Sequence, residues 1–408
     1  MNLSSLFSRL PIPAFGVLLV ATISAQRLPP PAVSTDERIA SIERRLKQAL
    51  GNPGLRDELA GAYIQKMRES ADGAYLERAS KLVAAALEVD PSNYEARRRH
   101  IEIEMHRHHF RQVVALAGAL RSERSNDAAV LGLLGDAHME LGNYDDAAGA
   151  YQEMADLRPS LASYNRIAFY RFVTGDPEGA AQIMRQAIRM GSSERENVAW
   201  CLVDLGNMLF KTSATGEAED AYRQALALFP GYHQALAGLG RIMAARGDSA
   251  AAIRLLLEAQ SRAPFPEYAG LLARLFRKAG NEEQARRQIA MLDVADRLDR
   301  AAGEAANRNL AIALADLRHR TPRALELARA EVEIRRDVYT YDALAWALFR
   351  NGQTQEAASA MDKALAWNTP EPLFHEHAAR IFEAAGRPQL AAQHRERVRA
   401  SNLKFDDI

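Results

Sequence analysis

Residues 202–230, LVDLGNMLFKTSATGEAEDAYRQALALFP, decide the fold. Their pattern returns in residues 236–264, LAGLGRIMAARGDSAAAIRLLLEAQSRAP. Leu202, Leu205, Gly206, Ala218, Tyr222 and Pro230 are followed 34 residues later by Leu236, Leu239, Gly240, Ala252, Leu256 and Pro264. A period of about 34 with small, apolar and proline positions in that order marks stacked helix–turn–helix units. Leu202, Leu205 and Gly206 share one helical face. Gly206 and Gly240 have no side chain to hold a partner helix away, and Ala218 and Ala252 supply the matching small contacts. The prolines end one pair and redirect the chain into the next.

The same punctuation spreads outward from these two units. Leu131-x2-Leu134-Gly135, Ala147-x3-Tyr151 and Pro159 form one unit. Residues 165–172 pair with Ala180, Met184 and Ala187 across Gly175-Asp176-Pro177. Further turns fall at Gly280-Asn281, Thr321-Pro322, Asn351-Gly352 and Gly386-Arg387-Pro388. After Gly280-Asn281 the second helix is expected to run on unusually far, since residues 293–309 hold no strong breaker except Gly303. No run alternates with period two, so no sheet is expected. The reading is an all-α solenoid of about ten stacked units over residues 55–401. A helix over 36–54 precedes them and a short tail, 402–408, follows.

The chain has 408 residues, 48% of them hydrophobic, enough for a continuous core. In a repeat array that length means more units in one elongated body. Lys+Arg and Asp+Glu both total 52. A net charge of zero argues against nucleic acid as partner. Cys201 is the single cysteine. It lies in an apolar stretch and reads as a small buried hydrophobe.

Residues 1–25 read as a secretory leader. Arg9 precedes an apolar run from Leu10 to Ala25 that ends in small residues. The rival reading is an uncleaved membrane anchor. Pro29-Pro30-Pro31 makes residues 26–35 an extended spacer.

No phosphate loop, nucleophile elbow or His-Glu-x-x-His occurs. No catalytic residue, metal site or cofactor is expected. His100, Glu104 and His108 have stripe spacing. His108 and His109, however, fall where other units turn, and Arg97, Arg98, Arg99 and Arg107 crowd the place with positive charge. His375-Glu376-His377 reads as a solvated helix segment.

At the quoted residues the chain resembles the tetratricopeptide repeat family, W-x2-L-G-x2-Y, A-x3-F and P. Leu replaces Trp, and His138, Leu209 or Met243 replaces Tyr. The layout also resembles bacterial exported multi-repeat proteins. The resemblance implies a right-handed superhelix whose first helices line a groove that binds a protein or extended peptide. On that assignment the groove carries Asn165, Arg166, Phe169 and Phe172, then Trp200, Asp204, Asn207 and Phe210. A basic run follows, Arg241, Arg274, Arg277 and Lys278, and then a patch of Trp346, Phe349 and Arg350. Rings that anchor, with amides that hold a backbone, are the means of peptide recognition. The expectation is a non-enzymatic scaffold, periplasmic or secreted, in assembly or maturation of an envelope complex. The alternatives are a structural or self-associating module and a membrane-anchored adaptor.

Overall fold

The computed structural model describes residues 33–49 and 52–401. The expected leader, most of the spacer and the tail lie outside these residues. Helix α1 (Thr35–Gln48) opens the fold. A capping box starts it: Ser34 accepts from the Glu37 amide, and Glu37 reaches back to the Ser34 amide.

Ten helix hairpins follow. They are α2 (Pro53–Ser70) with α3 (Ala74–Val89), α4 (Tyr94–His106) with α5 (Phe110–Glu123), and α6 (Ala128–Glu140) with α7 (Tyr144–Leu157). Next come α8 (Leu161–Val173) with α9 (Pro177–Met190), α10 (Arg195–Lys211) with α11 (Thr215–Leu228), and α12 (His233–Ala245) with α13 (Ser249–Arg262). The last four are α14 (Pro266–Lys278) with α15 (Glu282–Ala301), α16 (Arg308–Asp316) with α17 (Thr321–Ile334), α18 (Val338–Arg350) with α19 (Thr354–Ala364), and α20 (Pro372–Ala384) with α21 (Pro388–Ala400). Each first helix also packs on the next pair, so the core is continuous along an α-solenoid. No strand occurs among the described residues. As expected, α15 is long, with 20 residues, and its end is followed by Gly303.

The small residues sit where the pattern requires them. A Cβ on Gly206 would come within 2.6 Å of the Tyr222 ring, and one on Gly240 within 2.8 Å of Leu256. Ala218 and Ala252 are fully buried. The corner between the two helices of a pair calls for a left-handed residue, which glycine adopts without strain. Gly142 holds it at φ +75°. In the α4/α5 pair His108 takes the same corner at φ +62°, so α4 has ended and the histidine stripe does not form.

The expectation of an elongated body is corrected. Small rotations between successive pairs accumulate into a superhelix, and here it winds back onto itself. The Val338 amide donates to Tyr144 Oη at 3.0 Å and the Arg336 amide to the Glu140 carbonyl at 2.9 Å. Thr369 Oγ1 donates to the Val173 carbonyl at 2.6 Å. Val338, Phe374, Tyr339 and Trp367 pack into one apolar cluster with Tyr144, Tyr151 and Ile167. At the other end Arg38 pairs with Glu194, and Arg68 with the buried Glu196 at 2.9 Å. Late units therefore pack over early ones and flank the space the first helices face.

His375 and His377 are also corrected. Both are buried rather than solvated, because each bonds to a neighbouring helix. His375 Nδ1 lies 3.0 Å from His394 Nδ1, and His377 Nδ1 lies 2.9 Å from Asp342 Oδ1. The first contact joins the two helices of the last pair, and the second joins that pair to the one before it.

Candidate functional site

The inner faces of the first helices fix their polar groups by one repeated device. The residue after the packing glycine accepts from a tyrosine on the second helix and from an arginine on the following first helix. In α6, Asp136 follows Gly135. It accepts from Tyr151 Oη at 2.8 Å and from Arg166 Nη2 at 2.7 Å. In α10, Asn207 follows Gly206. It accepts from Tyr222 Oη at 2.8 Å and from Arg241 Nη2 at 3.3 Å. The device locks side chains that face inward, and that rigidity preorganises a wall for recognition.

Two chambers lie along this wall. The first, about 620 Å³, is faced by α2, α4, α6, α8 and α10, with Arg335 closing it from the far end of α17. The second, about 380 Å³, is faced by first helices from α10 to α20. A small pocket of about 40 Å³, lined in part by Phe169, Glu140, Arg308 and Tyr339, shares wall residues with both chambers.

Asn165, Arg166, Phe169, Trp200 and Asp204 line the first chamber. Asn207, Phe210, Arg241 and Arg274 line the second. The structure brings these nine together in one lumen. The others fall elsewhere. Phe172 is 2% exposed and belongs to the core between α8 and α10, because its side of α8 faces the neighbouring pair. Trp346 is 4% exposed and stacks on His377, with Nε1 donating to Asp316 at 2.8 Å. Phe349 stacks on Trp346, and Arg350 donates to the Ala315 carbonyl at 2.8 Å. That patch ties α16 to α18. Arg277 and Lys278 are exposed at the end of α14, outside both chamber walls.

Several lining residues escaped the sequence reading. Arg68, Asp136, Lys211, Arg308 and Tyr339 face the chambers from units far apart in sequence. Asp136 had a readable signal, its place directly after the packing glycine. Lys211 and Arg308 had none, since their place depends on the closure of the superhelix.

Burial sets the electrostatics. It pushes the Asp204 carboxyl up to about 7, against the pull of Lys211 and the hydrogen bond of Asn207. Burial opposes the charge of Lys211 as well, but Glu371 at 2.6 Å outweighs it and raises the ammonium above its usual range. Burial also pushes the Cys201 thiol up to about 12, which keeps it unreactive. Among the described residues three buried atoms of the lining make no hydrogen bond: Asn165 Oδ1 and Arg335 Nε in the first chamber and Arg274 Nε in the second. Arg335 Nε lies 2.6 Å from Glu331 in an ion pair, so Asn165 Oδ1 and Arg274 Nε are the ones left unmatched. Among the described residues no group of three or more His, Cys, Asp or Glu is placed to hold a metal ion.

Two family models described as tetratricopeptide repeat match the chain, one over 209–275 and the other over 107–162, 133–195 and 343–402. Together they span more than half of it. No curated protein matches. Among solved structures, PilW, described as a widely conserved type IV pilus biogenesis factor, is 17% identical over 50% of this chain and 93% of its own, with a TM-score of 0.43. MamA is 18% identical over 39% of this chain and 91% of its own, with a TM-score of 0.33. Yeast Tom70 is 14% identical over 91% of this chain and 89% of its own, with a TM-score of 0.43.

Proposed function

This chain belongs to the tetratricopeptide repeat family, and we propose that it is a non-enzymatic scaffold that grips an extended segment of a protein partner in its lumen. One observation carries the reading. A row of inward side chains runs from Asn165 to Arg274 along two adjoining chambers, and the hydrogen-bond device of Asp136 and Asn207 holds Arg166, Asn207 and Arg241 in place. Phe169 and Trp200 offer rings, and Asn165 offers an unmade acceptor to a main-chain donor. The scaffold works outside the cytoplasm, in assembly or maturation of an envelope complex. The pattern of residues 9–27 supports the export in that reading.

The test is partner capture from the native envelope by the full chain, with crosslinking and mass spectrometry. Phe169→Ala with Trp200→Ala is expected to remove the partner while the helical spectrum stays unchanged. Undiminished capture by that variant would overturn the reading.

A further inference from the structure

With the lumen as the binding surface, we infer that the first chamber takes a cationic side chain of the partner, a lysine or arginine, between Asp204 and the rings of Phe169 and Trp200. The argument starts from which charges on the wall are already matched. Arg68 pairs with Glu196 at 2.9 Å, Arg166 with Asp136 at 2.7 Å and Arg335 with Glu140 at 2.9 Å. The cations are therefore committed. Burial holds His106 and His108 below the usual imidazole range, so neither adds positive charge near neutrality.

Four acids line the chamber. Asp136 and Glu140 are matched as above, and Glu102 accepts from Arg99 at 2.6 Å. Asp204 alone makes no ion pair. It accepts a hydrogen bond from Asn207, and Lys211, seven residues on along the same helix, attracts it without pairing, being turned to Glu371. A second observation is independent of this one: Asn165 Oδ1 is buried with no donor. What this chamber has left to offer is acceptors, and an unmatched buried acceptor favours a ligand that brings donors. Trp200 stands one helical turn before Asp204, on the same face of α10. Phe169 reaches the same chamber from α8. Among the described residues no cation of the chain stacks on either ring. A carboxylate that shares a chamber with two half-buried aromatic rings suits an ammonium or guanidinium group, which gains from both.

A bound cation would also favour the ionised form of Asp204, which burial now keeps partly protonated near neutrality. Binding at pH 7 should then release a proton.

The experiment is calorimetry on the full chain at pH 7 with three amidated octapeptides: alternating Ala-Lys, the same peptide with acetylated lysines, and alternating Ala-Glu. The Ala-Lys peptide is expected to bind about tenfold or more tighter than the acetylated one. Asp204→Asn should erase that preference and the proton release seen in buffers of different ionisation heat. Asp204→Glu should retain both. Equal binding of the lysine and acetyl-lysine peptides, tighter binding of Ala-Glu, no binding of Ala-Lys, or a preference that survives Asp204→Asn would overturn the inference. Any of these leaves partner capture by Phe169 and Trp200 untouched, so the lumen reading stands or falls separately.

Discussion

The Val338 amide donates to Tyr144 Oη at 3.0 Å, joining two points 194 residues apart in sequence. Tyr144 is the first residue of α7, and Val338 is the first of α18. The contact sits within an apolar cluster drawn from both turns of the superhelix. It brings late units over the groove that the early units form.

This closure rests on a glycine that has two duties. Gly142 and Gly247 both hold left-handed corners, at φ +75° and +84°. A Cβ on Gly247 meets open space, whereas one on Gly142 would come within 2.5 Å of the Arg336 carbonyl oxygen. Gly247→Ala is expected to cost only backbone strain, about 1–2 kcal/mol. Gly142→Ala should cost about 1–3 kcal/mol more, because the two turns must part. Urea unfolding of both variants checks this, and equal losses would count against the contact.

The packing glycines give a second prediction. Gly240→Leu drives a side chain into Leu256, and Gly206→Ala drives a methyl into the Tyr222 ring. Each should destabilise by about 1–3 kcal/mol or more. A wild-type melting temperature for either would show the helix faces to be misassigned.

Two phenylalanines three residues apart should separate stability from binding. Phe172→Ala empties a core site and is expected to cost about 3–5 kcal/mol. Phe169 is half-buried in the chamber wall. Phe169→Ala should cost clearly less stability and still weaken partner capture. Paired unfolding and capture measurements read both, and the reverse order would move Phe169 into the core.

The acid side of the stability curve follows from His233. Its ring is buried against Tyr268, Nδ1 to Oη 2.8 Å, and burial pushes it down to about 4. An unfolded histidine titrates near 6.5. Between those values the unfolded chain binds the proton and the folded chain does not. The stabilising contribution is thus complete above about pH 6.5 and is lost as pH falls towards about 4. His233→Gln should flatten part of that fall in unfolding curves taken at pH 7 and pH 4.5. An unchanged pH slope would show that His233 is not responsible.

Much of the fold was legible because its cause is local. Gly206 and Gly240 announce helix contacts in their own unit, and the turn residues announce each corner. Even the departure at His108 and His109 marked a corner correctly. The wall of the lumen was legible only in part. Asn165, Trp200 and Asp204 share one face of their helices, and the repeat register puts that face inward. Phe172 and Trp346 misled because an aromatic residue at helical spacing suits core and groove equally, and the neighbouring helix decides. Lys211, Arg308 and Arg335 were out of reach, since their place depends on turns of the superhelix meeting across nearly 200 residues. His375 and His377 were missed for a more local reason: their partners His394 and Asp342 lie on other helices, 19 and 35 residues away.

The most direct measurement replaces single residues of the full chain with a photocrosslinking benzoylphenylalanine and irradiates the native envelope. One position is Phe169, in the chamber wall; the other is Leu257, 40% exposed and part of neither chamber wall. A partner held in the lumen gives a discrete adduct from position 169 and none from 257. An adduct from 257 with none from 169 would contradict the account.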